Sequence, residues 1–154
     1  EELLARGVQR IVLARRGPGR DVQKHYYANF GYSSIRPDHW LHAADGGQLI
    51  ALDLEDKRVE VLLDDPEGNV RDPRIHYDGR RILFSYRKGG THHYNLYTIN
   101  ADGTDLIQLT GGPWDDVEAC WLPDGGIAFC SSSEFGSCRL RNPCDFEWHR
   151  VGNR

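Results

Sequence analysis

Residues 72–84, DPRIHYDGRRILF, return about 46 positions later as residues 118–129, EACWLPDGGIAF. A second pair keeps nearly the same spacing: 49–54 and 59–62, LIALDL and VEVL, align with 96–101 and 106–109, LYTINA and LIQL, at an offset of 47. A period of roughly 40–50 residues built from short strands marks the blades of a propeller. With 154 residues the chain has length for about two and a half such units, whereas a ring of six would take on the order of 280 residues at this period. The first residue is not Met. The chain therefore reads as an all-β partial propeller, part of a longer protein or dependent on partners to cover its open edges.

Within the chain the repeat divides into a partial blade with a long insertion (1–68), a complete blade (69–112), a partial blade (113–133) and an irregular tail (134–154). In the complete blade, strand A is expected at 74–77, B at 81–87, C at 95–100 and D at 106–110. The turns Asp78-Gly79, Asp102-Gly103 and Asp124-Gly125 are pairs that accept positive φ in tight hairpins. Ile82, Phe84 and Tyr86 alternate with Leu83, Ser85 and Arg87, so one face is strongly apolar and the other half apolar. A strand packed between two neighbouring blades has this pattern. Strands are also expected at 9–15, 48–54, 58–63, 118–122 and 126–131. Residues 20–47, with five aromatics and His25, His39 and His42, are too long for a hairpin loop, and their aromatic content argues for a functional insertion.

The net charge is −4, with the 27% of charged residues well mixed. No basic stripe tracks a phosphate backbone, which argues against nucleic acid as a partner. No apolar run approaches the roughly 18 residues of a membrane span, and residues 1–16 lack the apolar core of a signal peptide. The four cysteines, Cys120, Cys130, Cys138 and Cys144, allow three pairings. Cys120 and Cys130 fall on neighbouring strands and read as small buried groups, while a Cys138–Cys144 disulfide would need an oxidising compartment.

Residues 73–84, followed by 95–104 and by Gln108-Leu109-Thr110, resemble the WD40-like repeat of TolB-type propellers: proline, short strand, Asp-Gly, apolar strand, acidic-Gly turn, closing Leu-Thr. Residues 25–31, 70–90 and 114–118 further resemble the propeller region of the hydrazine synthase alpha-subunit-like proteins of bacteria. The resemblance spans about 11–133. It implies a ring of six blades, a periplasmic or otherwise exported location, and a scaffold that binds proteins or peptides; some members of the wider group instead cap serine peptidases. Covalent haem would need Cys-x-x-Cys-His, a motif this sequence lacks, so hydrazine chemistry does not carry over and no cofactor is evident.

In a propeller the D–A and B–C connections share one face, and the tight A–B and C–D turns share the other. The loop-rich face then collects 20–47, 69–72, 87–93, 112–116 and 131–133. His25, Arg71, Asp72, His92, His93, Asp115, Asp116 and Glu118 become the candidate ligand-face residues. Asp72 and Glu118 hold the same slot in successive blades, at the head of the innermost strand. They would bind a cation or a basic group, or each would accept backbone N–H groups between blades. A metal ion would fall to Asp72, Glu118 and His92, since His with carboxylate suits zinc-like ions. His76 reads as a satisfied core histidine. The function expected is a non-catalytic binding module for a protein, peptide or small ligand, with the rest of the propeller as further partner. The alternative is a part of a metal- or haem-dependent enzyme with its site on the same face.

Overall fold

The structure, a computed structural model, describes residues 2–17 and 45–132 together with the backbone of 147–151. A one-turn helix, α1 (Glu2–Ala5), leads into three antiparallel sheets. The first sheet contains β1 (Arg10–Arg15), β2 (Gly47–Asp53) and β3 (Val59–Asp65) in that order. The second contains β4 (Asn69–Ile75), β5 (Arg81–Arg87), β6 (Asn95–Asn100) and β7 (Ile107–Gln108), again in chain order. The third runs β8 (Asp116–Trp121), β9 (Ile127–Ser131) and β10 (Glu147–Val151). Sheets that follow one another in sequence pack face to face, which is the arrangement of propeller blades.

Side-chain size decides how the sheets stack. Ile82, Phe84, Tyr86, Tyr97 and Ile99 of the second sheet form one buried cluster with Leu49, Ala51 and Leu62 of the first. On the other side of β5 and β6, Leu83 and Leu96 meet Ala119, Trp121, Ile127 and Phe129 of the third sheet. Each interface sets a large apolar face against a smaller one. Phe84 is fully buried, and burying a side chain of this kind stabilises by about 1.5–3 kcal/mol. The alternation read along residues 82–87 is thus that of a strand covered on both sides.

The three Asp-Gly turns form as expected. Gly79, Gly103 and Gly125 have φ of 71°, 84° and 81°, and each aspartate side chain accepts the amide two residues on, from Arg80, Thr104 and Gly126.

Four expectations need correction. The innermost strand β4 begins at Asn69, not at Arg74, and Tyr77 falls in the turn; β8 likewise begins at Asp116. In both, a β-bulge interrupts the period-two pattern, between Arg71 and Arg74 and between Val117 and Cys120, so the sequence shows only the half beyond the break. Pro73 is tolerated because β4 is an edge strand. Residues 69–72 therefore belong to a strand rather than to a loop. The outermost strand β7 shrinks to two residues, as suits an exposed edge. Finally, the stretch read as an irregular tail contributes β10, which pairs with β9 in the register Trp148 to Cys130; its sequence, EWHRV, has no apolar alternation to announce it.

The loop-rich end rests on two anchors, the half-buried Asp65 and the buried Arg87. The Asp65 carboxylate accepts the Tyr86 hydroxyl at 2.5 Å and the amides of Gly89, Gly68 and Glu67 at 2.8, 2.9 and 3.0 Å. A side chain at Gly68 would collide with that carboxylate and with the Arg87 carbonyl, so the close approach requires glycine. Arg87, 4% exposed, donates to Asp45 at 2.6 Å and to the carbonyls of Glu67 and Thr91 at 3.2 and 3.3 Å. The segments before β2, before β4 and after β5 are thereby tied together.

Burial alone would raise the Asp65 pKa, but the hydrogen bonds from Tyr86, Gly89, Glu67 and Gly68 outweigh it and hold the group below its ordinary value. Its ionised form therefore stabilises the fold fully above the unfolded value of 3.8, and that contribution is lost as pH falls through the lower folded value. Asp65→Asn in the full-length protein should cost about 1–3 kcal/mol at neutral pH, because an amide group is placed among donors. It should also remove part of the acid sensitivity below pH 4. Urea unfolding at pH 7 and pH 3 checks both effects; equal stabilities at pH 7 would contradict the anchoring role.

Candidate functional site

The two innermost strands, β4 and β8, are the free edges of their sheets and approach each other. At the bulge of each sits an acidic residue in the left-handed region: Asp72 at φ 54° and Glu118 at φ 56°. A non-glycine residue there carries strain of about 1–3 kcal/mol and persists only where its surroundings fix it. Aspartate tolerates the conformation better than glutamate.

The surroundings do fix Asp72. Its Oδ2 accepts Arg71 Nε at 2.6 Å and the Glu118 amide, on the next sheet, at 3.3 Å. Arg71 is 3% exposed, its Nη2 lies 3.9 Å from Glu118 Oε1, and its guanidinium stands 5.8 Å over the Tyr94 ring. Tyr94 is itself buried and donates its hydroxyl to Asn69 Oδ1 at 3.0 Å. Burial raises its pKa, which keeps the phenol protonated as a donor at neutral pH. One cation thus lies among two carboxylates and an aromatic face, where desolvation makes the pairing necessary.

The loop aspartates serve the same junction. The Tyr94 amide donates to Asp115 Oδ1 at 2.9 Å, and the Asp116 amide donates to the Tyr94 carbonyl at 2.7 Å. Asp115 exchanges two further bonds with Ser132, amide to Oγ and carbonyl to amide, each at 2.9 Å. His93 Nδ1 lies 3.5 Å from Asp115 Oδ1. The connection before β6 is thereby joined to the one before β8.

Of the residues expected at the ligand face, Arg71, Asp72, Glu118, His93 and Asp115 come together in this junction, and Asp116 is buried beside it. Arg71, Asp115 and Asp116 hold the fold from within and offer no open surface. His92 is exposed on the connection between β5 and β6, and His25 lies outside the described residues. Asp72 and Glu118 converge on Arg71, and no group of three or more His, Cys, Asp or Glu suited to a metal gathers among the described residues. Asp72 pairs with a basic side chain, that of Arg71, and also accepts an amide between blades, that of Glu118. Asn69, Tyr94, Asp65 and Arg87 are the participants that sequence reasoning missed; a polar residue capping an otherwise apolar strand, as Arg87 caps β5, was the available signal.

At the opposite end, tight turns make a second clasp. Tyr77 donates its hydroxyl to the Trp121 carbonyl at 3.0 Å, and Trp121 Nε1 donates to the Arg74 carbonyl at 3.2 Å. Arg81 stands 5.3 Å over the Trp121 ring. His76 packs edge-on against the same indole at 4.7 Å and pairs through Nδ1 with Asp78 at 2.9 Å, so it is satisfied in the packing between blades. Cys120 and Cys130 are free thiols, and burial raises the pKa of Cys130, which leaves it a poor nucleophile at neutral pH.

Stacked antiparallel sheets, innermost edges side by side and loops gathered at one end define the chain as a section of an all-β propeller. Two solved structures share the arrangement. Hydrazine synthase of Kuenenia stuttgartiensis superposes with a TM-score of 0.65 at 18% identity, covering 92% of this chain and 20% of that one. An oligogalacturonate lyase in complex with manganese superposes at 0.55 with 16% identity, over 84% of this chain and 34% of the lyase. The chain thus spans about a fifth and a third of those proteins, and the likeness is one of fold. No family model and no curated sequence matches.

Asp72→Ala should cost toward the low end of the roughly 3–5 kcal/mol typical of breaking a buried ion pair, because Glu118 stays near Arg71. Asp72→Gly should cost about 1 kcal/mol less than the alanine variant, since glycine carries no penalty at positive φ. Urea midpoints of the two variants of the full-length protein check this; a glycine variant no more stable than the alanine one would contradict the strained conformation.

Proposed function

We propose that the chain is a section of a TolB-like, exported propeller whose loop-rich face binds a protein or peptide as a scaffold. The observation that carries this reading is the commitment of the junction's buried charges to internal bonds. Arg71, Arg87, Asp65 and Asp115 are each held by hydrogen bonds or ion pairs that fix the bases of the loops. Asp65 is held below the usual carboxylate range by the hydrogen bonds from Tyr86, Gly89, Glu67 and Gly68, so it acts as an ionised anchor rather than as a group poised to trade protons near neutrality. A rigid base of this kind pre-organises the residues above it. Trp114, 41% exposed, and His92 are the side chains so presented, and an exposed tryptophan beside polar groups suits a binding hot spot.

A second reading, part of a metal- or haem-dependent enzyme with Asp72, His92 and Glu118 at its site, draws support from the fold likeness to hydrazine synthase and to a lyase solved with manganese. Metal and haem analysis of the purified full-length protein separates the two. Stoichiometric metal that is lost in Asp72→Ala and in His92→Ala would favour the enzyme.

For the binding module, peptides selected by display against the full-length protein should lose about tenfold or more in affinity when Trp114 and His92 are both replaced by alanine. The thermal midpoint should stay within about 2 °C, as expected of exposed positions. Selected peptides that bind the double variant unchanged would contradict this face as the docking surface.

A further inference from the structure

We propose that the layer between the second and third sheets, beside Ser85 and Arg87, is a binding site for a small monovalent anion of chloride size. The packing leads to it. Leu83 and Leu96 face the third sheet, where Ile127 and Phe129 meet them, so by alternation Ser85, Arg87 and Ser131 lie on the same facing surfaces, nearer the loop-rich end. Across β4 and β5, Arg71 pairs with Ser85 and Asn69 with Arg87, and residues directly opposite each other share a face. Within four residues of Leu83 the layer thus changes from large apolar side chains to two serines, an asparagine and two arginines, all buried.

Two groups in this layer lack an acceptor. Ser85 is 0% exposed, Arg87 is 4% exposed, and among the described residues Ser85 Oγ and Arg87 Nε have no hydrogen-bond partner. The remaining nitrogens of Arg87 are engaged by Asp45 and by the carbonyls of Glu67 and Thr91. A buried donor left in this state carries its whole desolvation cost. Two residues apart on one face of a strand, Ser85 and Arg87 are separated by roughly 6–7 Å at the backbone, a gap that one ion accepting from both side chains can span.

Charge selects the ligand. Burial raises the Tyr94 pKa, and the positive charges of Arg87, Arg71 and Arg16 act against that rise, so three guanidinium groups lie within electrostatic reach of one buried phenol. Arg16 follows β1 at the position equivalent to Arg87: Arg15 pairs with Gln48 as Tyr86 pairs with Asn95, and Gln48 and Asn95 are 47 residues apart. The carboxylates nearby are already placed. Asp72 lies against Arg71, Asp45 pairs with Arg87 from a side chain 65% exposed, and Asp115 accepts the Tyr94 amide. A water molecule beside two donors would need further acceptors for its own protons, whereas an anion only accepts. The burial of Ser85, Arg87 and Tyr94 restricts the ligand to very few atoms. Bound there, the ion fixes the base of the loops, whatever docks above it.

Anomalous diffraction from bromide-soaked crystals of the full-length protein tests it. One bromide peak should stand within hydrogen-bond distance of both Ser85 Oγ and Arg87 Nε, and should vanish in Ser85→Ala. Water density with no bromide at that place would overturn the proposal, and a peak that persists in Ser85→Ala would mean an adventitious ion only. In solution, the thermal midpoint of the wild-type protein should rise saturably with chloride but not with gluconate, too large an anion to enter, at equal ionic strength. Ser85→Ala should weaken the apparent chloride affinity about tenfold and, having removed an unpartnered hydroxyl, should match or exceed the wild-type midpoint in gluconate. A wild-type midpoint indifferent to the choice of anion would overturn the proposal. So would a Ser85→Ala variant less stable than wild type by the same margin in both salts, since the hydroxyl would then be satisfied without an ion.

Discussion

The hydrogen bond from the Glu118 amide to the Asp72 carboxylate joins one sheet to the next at the point where their innermost strands meet. Much of the architecture around it follows from making that bond possible. The chain must enter the left-handed region at Asp72, which forces a bulge. An edge strand accommodates both the bulge and Pro73, and β4 is one. A carboxylate this close to buried apolar groups needs a counter-charge, and the neighbouring Arg71 supplies it at 2.6 Å. The guanidinium in turn needs a polarisable wall, which Tyr94 provides.

Apolar packing holds the sheets together, and polar bonds set their register. The clusters on either side of β5 account for the bulk of the stabilisation, but apolar contact is non-directional and would permit sliding. The junction around Arg71 at one end and the Tyr77–Trp121–Arg74 clasp at the other fix two points along the interface. With both ends pinned, the connections above Arg71 start from fixed positions. Asp65 and Arg87 extend the same restraint across the first two sheets. The loop-rich face is therefore built on a rigid base, which is the property a recognition surface needs.

Much of this was legible in the amino-acid sequence. The repeat revealed the sheets, the Asp-Gly pairs marked the turns, and the alternation through residues 82–87 identified a strand covered on both faces. The placing of Asp72 and Glu118 in one slot followed from the repeat too. What stayed hidden is physical in origin. A bulge resets the period of two, so the first halves of β4 and β8 read as loop. Arg71 looked like a surface residue because its burial depends on partners both adjacent and 23 or more residues distant, Asp72, Tyr94 and Glu118. Asp65 and Tyr86 are joined only by the fold, and nothing local in 147–151 signals a strand whose pairing comes entirely from β9.

Amide hydrogen exchange at Glu118 in the full-length protein probes the central bond most directly. If the Asp72 carboxylate holds that amide, it should exchange far more slowly than a free edge-strand amide in the native protein, and should lose about tenfold or more of its protection in Asp72→Ala while amides within β5 and β6 keep theirs. A Glu118 amide that already exchanges at the free rate, or whose protection is unchanged by the substitution, would contradict the account.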